Sequence, residues 1–245
     1  MIFNKKLNIN LRIKKGYISK LVVFLMEEIS TNTGLGFEAI GWYVALIDNY
    51  KDSPEKWNIN YVKGSDTFEV IVGSCAVLQD ENYVYTFGVK EPSTHETYLL
   101  RFEKDALING ELSKIEWWTN NQWTRNVTKE PKKSALFKGQ TEFSVHYDQK
   151  LEQCIQIQAY GFEQSAIGYR LADQLYGPWS KLKLLYTPAI QDTNEFVYSA
   201  NAHPEYKSDG LIVTYNINHI DFEKLFNNED IYFPKVIEEN WGEER

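Results

Sequence analysis

A chain of 245 residues with 43% hydrophobic and 24% charged residues carries enough apolar material for a packed core and too much to stay disordered. Its formal net charge of −8 and pI near 5.2 repel phosphate backbones, which excludes nucleic acid as the expected partner. Aromatic residues reach 15%, a level that fits β-strands and also sugar-binding clefts, where rings stack on sugar faces.

Residues 1–33 are basic and then apolar from Leu21 to Met26. That run is too short to span a bilayer, and Glu27 and Glu28 follow it where a signal peptide needs small residues. The segment is therefore read as irregular, with no signal peptide and no transmembrane span. Residues 34–63 read as the outer half of a sheet: a strand over Phe37 to Ile47, a turn at Ser53-Pro54, and an edge strand from Trp57. From residue 69 short β-branched and aromatic runs alternate with Asn, Asp, Gly and Pro turns: VIVGSCAVL, YVYTFGV, TYLLRFE, SKIEWW. TEFSVHYD follows at 141–148, then CIQIQAY, a strand through Arg170, a Gly-Pro-Trp turn at 177–179, and WSKLKLLY. The last strands are YSANAHPE and LIVTYNI, and a short helix is predicted from Asp221 to Phe226.

These runs repeat. Each copy opens with a strand of small or polar residues, turns at an Asp (Asp80, Asp148, Asp209), and continues in a strongly apolar strand. The turns recur roughly every 60 to 70 residues, and four strands per unit is the anatomy of a propeller blade. The expected fold is all-β, a β-propeller of about 3.5–4 blades. It forms a single domain over residues 34–245 and lacks the inner strands of its first blade. An open edge of that kind calls for a partner or self-association to cover it.

In TEFSVHYD, Glu142, Ser144 and His146 alternate with Phe143, Val145 and Tyr147, so one face is polar and the other apolar. Aligning the copies on their Asp turns places Ser74, Glu142 and His203 at equivalent positions. Arg101 and Arg170 also recur, which argues for structural roles such as inter-blade ion pairs. Glu91, His95 and Glu96 read as a solvated hairpin, and Glu205 as solvated. Cys75 and Cys154 allow one disulfide or none and are read as small buried hydrophobes.

The Gly-Ser-x-Ala strand at 73–76, TYLLR at 97–101, TEFSVHY at 141–147, YGPWS at 176–180 and NAHPE…VTYNIN together resemble the five-bladed β-propellers of the glycoside-hydrolase type. More specifically they resemble a family of domains of unknown function linked to endo-D-arabinanases. The likeness runs over about residues 34–237. It implies a funnel lined by inner-strand residues and a pair of carboxyl groups, one protonating the leaving oxygen and one activating water or attacking the sugar. Glu142 is the candidate acid, and Ser144, His146, Asn201, His203 and Ser74 are candidate substrate-binding residues. An axial His in such propellers can help hold an ion such as Ca2+, a role that would fall to His203. The implied partner is a polysaccharide or oligosaccharide containing furanose units, and the implied location is extracellular. There Asn126-Val127-Thr128 would match a glycosylation acceptor.

The chain departs from that family where a catalytic Asp is expected from the first inner strand: residues 1–33 hold no Asp. A hydrolase, a truncated or degenerate relative, a chain that completes its ring through residues 1–33 or a partner, and a non-catalytic propeller that binds glycans or proteins are all consistent with the sequence.

Overall fold

A computed structural model describes residues 5–15, 18–32, 36–92, 94–161, 164–228, 231 and 233–240. The chain is all-β and of the β-propeller type: successive antiparallel sheets follow one another in chain order. It divides into two compact units, Met1–Lys138 and Gly139–Arg245.

The first unit holds two sheets. One runs in the order β1 (Lys5–Lys15), β2 (Ile18–Ser30), β3 (Phe37–Ile47), β4 (Ile59–Lys63). The other runs β5 (Val70–Gln79), β6 (Tyr83–Lys90), β7 (Glu96–Glu103), β8 (Glu116–Thr119), β9 (Gln122–Thr124). Strand β10 (Phe137–Lys138) lies beside β7, and a short helix α1 (Lys104–Ile108) follows β7.

The irregular segment expected at residues 1–33 is thus corrected. Its described part is two long paired strands that supply the inner half of the first sheet. The run from Leu21 to Met26 is apolar because β2 is covered on both faces, as an inner strand of stacked sheets must be. Val22, Phe24 and Met26 join a cluster with Trp42, Leu100 and Phe102, whereas Val23 and Leu25 pack with Ala45 and Ile47 on the opposite face. The edge strand also starts later than expected. A single 3-10 turn at Pro54–Lys56 holds the chain through Trp57, and β4 begins at Ile59.

Gly73 shows why the innermost strand of the second sheet carries small residues. It sits at φ +71° in a bulge between Val72 and Val77, and a Cβ there would lie 2.4 Å from Phe24 Cγ.

The second unit also holds two sheets. The first is β11 (Phe143–Asp148), β12 (Gln153–Ala159), β13 (Ile167–Ala172), β14 (Lys183–Tyr186). The second is β15 (Glu195–Ala202), β16 (Leu211–His219), β17 (Lys235–Glu239), with α2 (Phe222–Asn227) between β16 and β17. Asp221 caps α2 by accepting a hydrogen bond from the Glu223 N–H at 3.0 Å. Alternation along β12 sorts its side chains. Ile155, Ile157 and Ala159 pack with Val197, Val213 and Ile217 of the last sheet. Gln156 and Gln158 are buried on the opposite face, where both amide oxygens accept from Arg170 Nη1 at 2.9 and 2.8 Å.

The repeating Asp turns have a local cause. Asp80 Oδ1 accepts from the N–H groups of Asn82 and Tyr83, and its Oδ2 from the Tyr85 hydroxyl. Asp148 Oδ1 accepts from the N–H groups of Lys150 and Leu151 in the matching turn of the second unit. Cys75 and Cys154 are buried thiols, one in each unit and not bridged to each other, which agrees with the reading of two small buried residues.

Candidate functional site

Glu142 lies immediately before β11, half-buried at the head of the inner strand of its sheet. The alternation read from TEFSVHYD holds in part. Phe143 and Val145 are buried, but Tyr147 is 53% exposed, so the apolar face ends before the strand does.

Ser144 does not present its oxygen to a cavity as an acceptor. Its Oγ accepts from the Ala202 N–H at 2.8 Å and so ties β11 to β15. Asn201 Nδ2 donates to the carbonyl and hydroxyl oxygens of Ser199, a residue at φ +52° inside a bulge of β15. His203 is held from both sides, with Nδ1 3.0 Å from Glu205 Oε1 and Nε2 2.8 Å from Thr214 Oγ1. A metal ion at His203 would have to displace one of these partners. Among the described residues no group of three or more His, Cys, Asp or Glu is placed to hold a metal.

His146 differs from the rest. It is 8% exposed, and neither ring nitrogen has a hydrogen-bond partner among the described residues. Burial pushes its pKa below the ordinary value, while the charges of Asp148 and Glu205 pull weakly the other way.

The second unit therefore brings Ser144, His146, Asn201 and His203 together around β11 and β15, with Glu142 at the start of β11. Ser74 lies in the first unit, where its hydroxyl is 3.3 Å from Cys75 Sγ, and it is buried. The arginine roles change. Arg101 pairs with Glu116 at 2.7 Å and lies over the rings of Tyr83 and Trp123, all within one sheet. Arg170 likewise bonds β12 of its own sheet, and burial brings its pKa down to about 10. Neither of these bonds is the inter-blade ion pair expected. Glu91 is not simply solvated either. It is buried, with Oε1 3.2 Å from His95 Nδ1.

Sequence reading passed over a second cluster in this unit. Gln191, Asp192, Glu195, His219, Lys224 and Ile231 line most of a cavity of about 370 Å³. The signal was available. QDTN stands before β15 and Glu195 opens it, much as TE stands before β11, and Glu195 is the register partner of His219 at the end of β16. Lys224 Nζ sits 2.7 Å from Asp192 Oδ2. This contact, the Asn194 N–H and the nearby His219 ring hold the Asp192 carboxyl far below the usual carboxylate range. A separate cavity of about 410 Å³ in the first unit is lined in part by Glu38, Trp42, Lys63, Asp66, Thr67 and Glu91.

Successive antiparallel sheets, each paired strand to strand in chain order, define a protein of the β-propeller fold. The chain belongs to the family of the domain of unknown function DUF5005, whose family model matches residues 12–241. No curated protein matches the sequence. Among solved structures, a candidate hydrolase from Bacteroides ovatus shares the fold with a TM-score of 0.68 at 16% identity, covering 95% of this chain and 60% of its own. This chain thus spans less than two thirds of that protein. Two looser likenesses are a GH43_1 enzyme from Xanthomonas citri complexed with xylose and an exo-β-1,3-galactanase from Phanerochaete chrysosporium complexed with β-1,3-galactotriose. The first has a TM-score of 0.43 at 14% identity, covering 84% of this chain and 62% of its own. The second has a TM-score of 0.48 at 11% identity, covering 95% and 49%. At scores under 0.5 neither bears on the chemistry of this chain.

Proposed function

We propose that this chain is a carbohydrate-active propeller that hydrolyses a furanose-containing polysaccharide, with Glu142 as the group that protonates the leaving oxygen. The observation that carries the reading is the half-buried Glu142 at the head of β11, on a strand locked to its neighbour by Ser144. A proton donor must be held within hydrogen-bond reach of the leaving oxygen, and a strand start pinned by the Ser144–Ala202 bond supplies that fixity. The hydrolase fold shared with the Bacteroides ovatus protein supports the same reading.

On this reading the other residues divide by what they touch. Ser144 and Asn201 are positioning residues, holding β11 to β15 and shaping the β15 bulge. His203 orders the NAHPE turn through Glu205 and Thr214. His146 packs inside the unit, with both ring nitrogens buried and without a hydrogen-bond partner among the described residues.

The test is release of soluble oligosaccharides from arabinan, fructan and xylan by the wild type and by Glu142→Gln. Removing a general acid lowers turnover by about 10²–10⁴-fold. Cleavage by the wild type with loss of that size in the variant is the expected result, and equal cleavage by both removes Glu142 from the role. Binding of any of the three polymers without cleavage by the wild type replaces the hydrolase with a glycan-binding propeller.

A further inference from the structure

The cavity beside β15 contains an arrangement that packing alone does not explain. His219 is 3% exposed at the end of β16. Its Nδ1 accepts from the Asp221 N–H at 2.8 Å, which places the ring hydrogen on Nε2. That Nε2 has only a long, poorly aligned contact with Asp192 Oδ2 at 3.4 Å and no other partner among the described residues. A buried donor left poorly matched is destabilising unless something else satisfies it. The acceptors around it are already organised. Asp192 Oδ1 takes the Asn194 N–H and its Oδ2 takes Lys224 Nζ, while Glu195 Oε2 takes the Gln191 N–H. Each carboxylate oxygen has lone-pair capacity beyond these bonds. The wall therefore combines one poorly matched donor, two fixed carboxylates, a lysine and the amides of Asn227 and Asn228, over the buried side chain of Ile231.

The cavity lies at the same end of its unit as Glu142. Register pairs Phe143 with Gln158, so the loop after Ala159 sits beside the start of β11. Ser165 in that loop donates to the Glu195 carbonyl at 3.4 Å.

From this we infer that the cavity is an accessory sugar-binding subsite. It takes one sugar unit of a longer chain whose cleavage point is at Glu142, so the inference rests on the function proposed above. His219 Nε2–H donates to a ring or hydroxyl oxygen, Asp192 and Glu195 accept from neighbouring hydroxyls, and Lys224 and Asn227 close the rim. A neutral polyol fits this wall better than an anion, which two carboxylates repel, and a volume of about 370 Å³ is in the range of small-ligand sites. The acceptors are held before the ligand arrives, so little ordering cost falls on binding.

The test is calorimetric titration of arabinotriose, kestotriose and xylotriose into Glu142→Gln protein, which keeps the ligand intact. Asp192→Asn and Asn227→Leu are then added to that background. Both positions lie outside the hydrophobic clusters and Asn227 is exposed, so both variants keep the fold, checked by a single cooperative melting transition, with Asp192→Asn melting lower for the loss of its charge pair with Lys224. His219 ring nitrogen resonances report occupancy directly. Expected are an Nε2 shift on binding and a weakening of about tenfold or more in each added variant, the loss of roughly one hydrogen bond. Binding within twofold of the parent in both variants, with no shift at His219, overturns the subsite while leaving the hydrolase reading intact. If the parent binds none of the three sugars, and the wild type cleaves none of the three polymers, both readings fall.

Discussion

His146 is a buried imidazole with two unmatched nitrogens, and that state has consequences for stability. Its pKa in the folded chain is below the ordinary 6.5. As pH falls, the unfolded chain therefore takes up the proton first. Stability from this group is complete above about pH 6.5 and declines below it. His146→Leu removes both the orphaned nitrogens and the titration. We expect the variant to gain about 1 kcal/mol at neutral pH and to lose less stability than the wild type between pH 7.5 and 5.5. Urea midpoints at the two pH values decide this, and parallel losses in the two proteins would sink it. The sequence showed that an imidazole stood on the polar face of a strand. It could not show that the neighbouring side chains fill that space without offering it a partner.

At the scale of elements, the inner strands depend on close backbone approach. β5 bulges at Gly73 so that the ring of Phe24 on β2 can lie against it. Gly73→Ala meets a left-handed backbone and an approach of 2.4 Å to Phe24 Cγ at once. We expect a loss of about 2–4 kcal/mol, read from urea unfolding followed by tryptophan fluorescence. A loss under 0.5 kcal/mol would mean that β2 and β5 do not pack this closely. The small-residue strand was legible as GSCA, and its reason, a crowded inner position, was legible too. The partner was not, because β2 stood in a segment whose six apolar residues carry no alternation. A strand covered on both faces has none to show. The Asp turns were the most readable elements, since Asp80 and Asp148 act through bonds to residues two to five positions away.

For the whole chain, the strands Lys5–Lys15 and Ile18–Ser30 are part of the fold. A chain shortened to residues 34–245 loses β1 and β2. With β2 go Val22, Phe24 and Met26, all buried in the cluster around Trp42 and Phe102. Each such side chain contributes about 1.5–3 kcal/mol by burial, and their sum is comparable to the 5–15 kcal/mol that holds a typical domain folded. We expect the shortened chain to bind an apolar dye and to be cut by trypsin within residues 34–138, whereas the full chain resists. A shortened chain that melts cooperatively at the full chain's temperature would show that these two strands contribute little.

Composition, turn spacing and alternation determined the all-β class, the succession of sheets and the position of Glu142 at a strand head, because those depend on contacts near in sequence. Tertiary structure decided that Lys5–Lys15 and Ile18–Ser30 complete a sheet, that Ser144 and His203 are spent on internal bonds, and that Asp192, His219 and Lys224 meet around one cavity. The contacts that decide them include Ser144 with Ala202 and Lys224 with Asp192, 58 and 32 positions apart, and at such separations no local pattern reports which partner a side chain will find.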